Sequence, residues 1–171
     1  EAAETNNLDV VKYILENKLY ELSPLFLIKL IQQSIQAGSE DVTNYFFEKE
    51  VIVTNEILQS ACSAQNINLV KLLIQKAAEK HISLDFTNPF IKAVNPFLDD
   101  ICRHLAEMKV SLNYQIILRE LNYIAEVNPR ILILLIENSD DDFKDDIFTE
   151  SLQAAINAKD TEIIDYLIKK G

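Results

Sequence analysis

The nine residues LDVVKYILE at 8–16 set a pattern that recurs along the chain. Their apolar residues stand three and four positions apart, as on the buried face of an amphipathic helix. Similar segments follow at 41–48, 68–74, 100–107, 130–137 and 162–169. Their aligned anchors are Val10, Val42, Leu69, Ile101, Ile131 and Ile163, with spacings of 32, 27, 32, 30 and 32 residues. Six copies at this spacing predict a repeat array.

At fixed sequence positions relative to the anchors stand the residue types that begin a helix and those that form its buried face. Four positions after each anchor the residue is always apolar. Three positions before it, five of six residues are good N-caps, in the series Asn7, Ser39, Asn66, Leu98, Asn128 and Asp160. A first helix is expected before each of these second helices, because small or apolar pairs recur at 2–3, 34–35, 61–62, 93–94, 123–124 and 155–156.

The prolines add four predicted helix starts. Pro24, Pro89, Pro96 and Pro129 each follow Ser or Asn, and an N-cap residue before a proline is typical of the first helical position. We therefore predict a helix over roughly 24–37. The unit is then helix, short turn, helix and loop, with little sheet beyond short extended pieces such as 51–53.

This unit resembles the ankyrin repeat. Residues 88–94, NPFIKAV, are similar to the first half of that repeat, with Pro89 at the family's proline. Residues 2–13, AAETNNLDVVKY, are similar to its second half. Gly38 occupies the family's glycine between paired helices, and the residues at that place in other copies are Asn6, Gln65 and Phe97.

The resemblance implies an all-α, ankyrin-like solenoid of stacked helix-turn-helix repeats with short or degenerate hairpin fingers. It covers nearly the whole chain as one array, with repeats at about 1–23, 24–54, 55–86, 87–115, 116–147 and 148–171. We expect the chain to be a fragment of a longer protein. Another solenoid of helical pairs is the nearest alternative, although the tetratricopeptide signature needs tryptophan and this chain has none.

Composition argues against several classes of protein. The 171 residues are 49% apolar and carry a net charge of −11, so nucleic acid and anionic membrane surfaces are not expected partners. Only 2 glycines are present, whereas phosphate-binding loops need several. Two cysteines, Cys62 and Cys102, are too few for a disulfide scaffold and are predicted to be buried and reduced.

The chain offers little that predicts catalysis. Cys102 and His104 stand two residues apart, so they do not face each other on a helix. His81 is the only other histidine and falls in a predicted loop, which argues against zinc. The run 139–146 holds five acids but lacks the glycine and final glutamate of a calcium loop. We therefore expect no enzyme activity, cofactor or metal.

The candidate binding residues lie on the first helices and in the loops. The resemblance implies a concave groove on the first helices, here amide-rich, at Gln33, Gln36, Ser60, Ser63, Lys92, Asn95, Asn122, Glu126 and Asn157. Candidate loop contacts are Tyr20, His81, Tyr114, Asp140, Asp141, Asp142 and Phe143. Tyr114 has a second interpretation, in which its ring staples the loop to the next helix.

The expected function is a non-catalytic, monomeric, intracellular scaffold that binds a protein partner. The charge favours a partner with basic segments. The alternative is a substrate-recruiting or regulatory ankyrin domain of a larger enzyme. Frequent Asn (14) and Ile (22) suggest AT-rich coding, which keeps open a pathogen effector acting in the host cytoplasm.

Overall fold

The fold is all-α within the described residues. The structure is a computed structural model that describes residues 1–17, 23–49, 53–139 and 141–170. These residues form eleven α-helices and no strand. The helices are α1 Leu8–Glu16, α2 Pro24–Gln36, α3 Glu40–Glu48, α4 Asn55–Ser63, α5 Ile67–Glu79, α6 Thr87–Ala93, α7 Asp100–Glu107, α8 Tyr114–Val127, α9 Arg130–Asn138, α10 Lys144–Ala158 and α11 Thr161–Lys170.

Ten of these helices form five consecutive pairs, α2/α3, α4/α5, α6/α7, α8/α9 and α10/α11, whose members pack on each other. We call the first member of each pair a first helix and the other a second helix. Helix α1 is the second helix of the first copy, and residues 2–6 before it form turns. The predicted helix over 24–37 is present as α2, whereas part of the predicted extended piece 51–53 lies outside the described residues.

Side-chain caps explain many of the helix starts. Asn7, Asn66 and Asp160 accept the N–H three residues ahead at 3.2, 3.0 and 3.0 Å, as the sequence predicts. Ser39 is the N-cap residue of α3, as predicted, but it makes no side-chain cap bond and donates from Oγ to the Glu4 carbonyl. The predicted cap Asn128 is wrong, because it precedes the N-cap Pro129 and donates from Nδ2 to the Asn95 carbonyl at 2.9 Å.

The proline prediction holds fully at only one site. Pro24 is the first residue of α2, and Ser23 caps that helix. Pro89 is the third residue of α6, where the first turn still tolerates its missing N–H. Pro96 starts no helix, because Asn95 Oδ1 accepts from the N–H groups of Phe97 and Leu98 and folds the chain into a turn. Pro129 precedes the first residue of α9 by one position.

Most short turns inside the pairs share one backbone geometry. Asn6, Gly38, Gln65 and Lys159 all have positive φ, between 54° and 68°. The N–H of each next residue returns to a carbonyl five positions back, for example from Ser39 to Ser34 at 2.9 Å. This is the Schellman ending of a helix, which normally favours glycine. Phe97, aligned with these residues by sequence, does not share the positive φ.

The chain divides into two compact units, Glu1–Leu84 and Asp85–Gly171. In unit 1, α2 packs on α4 and α1 packs on α3. In unit 2, α8 packs on both α6 and α10, and α7 packs on α9. Helices α8 and α10 begin two and four residues before the repeat starts predicted at 116 and 148.

Each unit has its own apolar core. In unit 1 the interior is filled by Ile31, Leu58 and Leu73, which are fully buried. In unit 2, α8 packs on α10, and the core includes Leu121 of α8 with Ala154 and Ala155 of α10, which are all buried. The core therefore leaves one stripe of every first helix facing solvent.

Candidate partner-binding face

Exposed residues on α8 and α10 form two stripes at helical spacing. On α8 the stripe is Gln115, Arg119, Asn122, Tyr123 and Glu126, and on α10 it is Thr149, Glu150, Gln153, Ile156 and Asn157. Since α8 packs on α10, these stripes belong to one surface, which we call the first-helix face of unit 2. Tyr123 and Ile156 are 45% and 47% exposed on it.

A chain of three carboxamides crosses this face. Gln153 Nε2 donates to Asn157 Oδ1 at 3.1 Å, and Asn157 Nδ2 donates to Asn122 Oδ1 at 2.9 Å. The second of these bonds joins α10 to α8, across 35 residues of sequence. A carboxamide has two N–H donors and one oxygen that can accept two hydrogen bonds. Gln153 and Asn122, at the two ends of this amide chain, can therefore each form further hydrogen bonds. The face therefore offers ordered amide groups beside exposed apolar side chains.

In unit 1, glutamine side chains also join neighbouring copies, but their hydrogen bonds are less exposed to solvent. Gln32 Nε2 donates to Ser60 Oγ at 3.2 Å, joining α2 to α4. Gln33 Nε2 donates to Glu4 Oε1 at 3.2 Å. Ser60 is only 6% exposed and itself donates to the Glu56 carbonyl, so its hydroxyl is committed to packing. Gln36 and Ser63 remain exposed at the ends of α2 and α4.

The remaining groove residues of unit 2 take no part in the hydrogen bonds of the amide chain. Lys92 is exposed near the end of α6, and Glu126 is exposed on α8. Asn95 is half-buried and holds the turn after α6 through its side chain. The structure thus brings Asn122 and Asn157 together.

The predicted loop contacts have mixed positions. Tyr114 is 6% exposed, so it is not an exposed anchor. Its ring stacks on Phe143 with centroids 5.3 Å apart, and its hydroxyl donates to the Asn138 carbonyl at 3.2 Å. His81 is exposed in the left-handed turn that ends α5. Tyr20 lies outside the described residues.

The acidic segment is described only in part. Asp140 and the side chain of Asp141 lie outside the described residues, while Asp142 is exposed. Residues 141–143 form a single 3-10 turn that leads into α10. Because α10 begins Lys144-Asp145-Asp146, two further acids stand in its first turn, where the helix dipole favours them.

Two tyrosine–glutamate bonds repeat with the same sequence separation. Tyr45 hydroxyl donates to Glu16 at 3.4 Å, and Tyr166 hydroxyl donates to Glu137 at 3.0 Å, each across 29 residues. Burial, and then the Glu16 carboxylate, raise the pKa of the Tyr45 phenol. The repetition shows that second helices of neighbouring copies are joined in the same way in both units.

The described residues hold no candidate metal cluster, and both cysteines are buried. Within the described ranges, no group of three His, Cys, Asp or Glu side chains is placed to hold a metal ion. Burial raises the pKa of the Cys62 thiol to about 12, so it stays protonated at neutral pH. Cys102 is also buried, and its Sγ lies 3.6 Å from the Phe90 carbonyl. In the parts of the chain that are described, no helix is long and apolar enough to cross a bilayer.

The sequence does not predict three side chains that take part in these bonds. Gln32, next to the predicted Gln33, joins α2 to α4, and Gln153, one turn before the predicted Asn157, bonds Asn157 within α10. The helical spacing of both glutamines was the available signal. Asn6 reaches from its turn to α3, donating to Asp41 at 2.9 Å and accepting from the Val42 N–H at 3.2 Å. The alignment of Asn6 with Gly38 predicts the turn but not the hydrogen bonds between Asn6 and α3.

Comparisons with known proteins assign no family to the chain. No family model, no curated protein and no solved structure matches it. The case for a function therefore rests on the residues and contacts described above.

Proposed function

We propose that this chain is a non-catalytic protein-recognition module built as an ankyrin-like array of helix pairs. Support comes from the recurring left-handed turns and from the two tyrosine–glutamate bonds at equal separation. In such an array each copy buries its core against its neighbours and leaves long faces free for a partner. We place the binding surface on the first-helix face of unit 2.

The observation that carries this proposal is the amide chain beside exposed Tyr123 and Ile156. Ordered amides fix the orientation of a partner's polar groups at little entropic cost, because their rotamers are already restrained. Tyrosine is a frequent anchor residue at protein interfaces. One surface thus combines an apolar contact with directional hydrogen bonding.

Charge favours a partner with basic segments. The first-helix face carries Glu126 and Glu150, and Asp145 and Asp146 stand exposed at the start of α10. A basic partner would be steered toward this end of unit 2, and its binding would weaken as salt rises.

The test is affinity capture from cell lysate with matched variants as bait. The double variant Tyr123→Ala/Ile156→Ala removes the apolar contacts of the first-helix face. Its control, Met108→Ala/Ile168→Ala, removes two exposed apolar side chains at the second helices of the same unit. We expect one partner to be captured by the wild type and the control and lost from the first variant, with weaker capture in high salt. Equal capture by all three baits contradicts the proposal.

A further inference from the structure

The side chain of Asn6 fills the gap between its own turn and the next helix pair. Its carboxamide donates to Asp41 and accepts from the Val42 N–H, and both partners stand in the first turn of α3. Ser39, the N-cap residue of α3, makes no side-chain cap bond, so Asn6 caps this helix in its place. The chain therefore contains a carboxamide bound between two successive copies.

Gly38 stands at the same place in the next turn and leaves the following gap unfilled. It has φ +68°, close to the +54° of Asn6, and a Cβ built on it would meet nothing within 4 Å. A pocket of about 540 Å³ opens beside it, between α3 and α5. We call it the Gly38 pocket. The open gap differs from the filled one in two ways: Gly38 has no side chain, and α5 is already capped by Asn66, whose Oδ1 accepts from the Leu69 N–H at 3.0 Å.

Three polar side chains line the Gly38 pocket without internal partners. The side chains of Glu40, Asn44 and Asn68 are exposed and form no hydrogen bond or ion pair with any other residue that the structure describes. Asn68 is the second residue of α5, as Asp41 is the second residue of α3. The pocket therefore keeps acceptors on Glu40 and Asn68 and donors on the two amides.

We propose that the Gly38 pocket binds the carboxamide of an asparagine or glutamine side chain presented by a partner peptide. A carboxamide both donates and accepts, which matches a pocket that offers acceptors and donors together. A carboxylate would face Glu40 and be repelled, and an apolar side chain would leave the polar groups unpaired. Asn6 provides the internal precedent for the donor half of this ligand, because Asn68 stands in α5 where Asp41 stands in α3. The acceptor half would be met by the Asn44 and Asn68 amides, since the Leu69 N–H already donates to Asn66. The pocket lies in unit 1, so it is independent of the first-helix face of unit 2.

The probe is the blocked peptide Ac-Ala-Asn-Ala-NHCH3, followed through the backbone amide signals of Gly38 and Asn68 in NMR spectra. Ac-Ala-Leu-Ala-NHCH3 is the matched control peptide, and the N-methyl blocks leave the asparagine side chain as the only primary carboxamide. We expect saturable shifts with the asparagine peptide alone. The absence of saturable shifts, or equal shifts with both peptides, would overturn the proposal.

Variants at residue 38 separate occupancy of the pocket from backbone strain. Gly38→Asn supplies the chain's own carboxamide, and asparagine accepts the left-handed backbone, as Asn6 does at φ +54°. We expect this variant to bind the probe at least about tenfold more weakly. Gly38→Ala carries the backbone cost but leaves the pocket open, so binding should stay within about twofold. Equal probe binding by Gly38→Asn and wild type overturns the assignment.

The reciprocal variant is Asn6→Gly, which empties the first gap. It should create a second saturable site, seen as shifts at Asp41 and Val42 that are absent from the wild type. If the shifts in this variant remain confined to the Gly38 pocket, the analogy between the two gaps is wrong.

Discussion

The α2–α4 contact of unit 1 and the α8–α10 contact of unit 2 are built alike but are exposed differently. Each packs two first helices and joins them with a polar hydrogen bond, from Gln32 to Ser60 and from Asn157 to Asn122. Ser60 is buried, whereas Asn122 and Asn157 are both exposed. The acceptors Ser60 and Asn122 each directly precede the small or apolar pair of their helix, so this one repeat position is buried in unit 1 and exposed to solvent in unit 2.

The largest expected effect comes from the apolar core beneath the α2–α4 contact of unit 1. Leu73→Asp places a charge in the fully buried interior of unit 1 and should lower the free energy of unfolding by about 4 kcal/mol or more. Ile168→Asp, at a position 64% exposed on α11, should change it by less than about 0.5 kcal/mol. Urea unfolding followed by circular dichroism measures both, and similar losses would show that unit 1 lacks the packed core described here.

A thiol in the interior of α4 makes the stability of unit 1 sensitive to alkaline pH. The folded-state pKa of Cys62 is about 12, against 9.0 for the unperturbed thiol. The folded pKa is raised, so this contribution is fully present below pH 9 and is lost as pH rises toward 12. Between pH 7 and pH 10 the free energy of unfolding should fall by about 1 kcal/mol more in the wild type than in Cys62→Ala. An equal fall in the free energy of unfolding of both proteins between pH 7 and pH 10 would contradict burial of this thiol.

Removing the buried acceptor in unit 1 should weaken its packing. Ser60→Ala deletes the oxygen that Gln32 donates to and should cost about 1 kcal/mol in the free energy of unfolding. Gln32→Ala combined with Ser60→Ala should cost little more than Ser60→Ala alone, because the donor is then removed too. Strictly additive losses in this double-mutant cycle would mean that the bond contributes nothing.

In unit 2, removing the hydroxyl of Ser151 should raise stability, whereas removing that of Ser60 in unit 1 should lower it. Ser151 is fully buried on α10, and its Oγ has no hydrogen-bond partner among the described residues. Ser151→Ala should therefore stabilise unit 2 by up to about 1 kcal/mol, because it removes an unpaired polar atom and favours the helix. A loss of thermal stability would show that the hydroxyl has a partner.

The smallest stability effect is expected at the exposed amide chain. Asn157→Ala should change the free energy of unfolding by less than about 0.5 kcal/mol, since its bonds are exposed to competing water. A cost as large as that of Ser60→Ala would erase the difference between the two contacts. The melting temperatures of both variants, measured under the same conditions, decide this.

Local sequence patterns predict most of the helix pairs but not the contacts between copies. Caps such as Asn66 and the spacing of apolar residues act within one helix, so they can be read from a short window. Asn128 was misassigned because its side chain bonds the carbonyl of Asn95, 33 residues earlier, instead of the next turn. The amide bond between Asn122 and Asn157 likewise depends on how α8 and α10 pack, which no single repeat contains.

The proposed partner should cover the first-helix face of unit 2. Hydroxyl-radical footprinting of the captured complex can detect this, because it reports the solvent accessibility of single side chains. Tyr123 and Ile156 should be protected in the complex, whereas Met108 and Ile168 should be oxidised as fast as in the free protein. Unchanged oxidation of Tyr123 and Ile156, with protection elsewhere, would contradict the account.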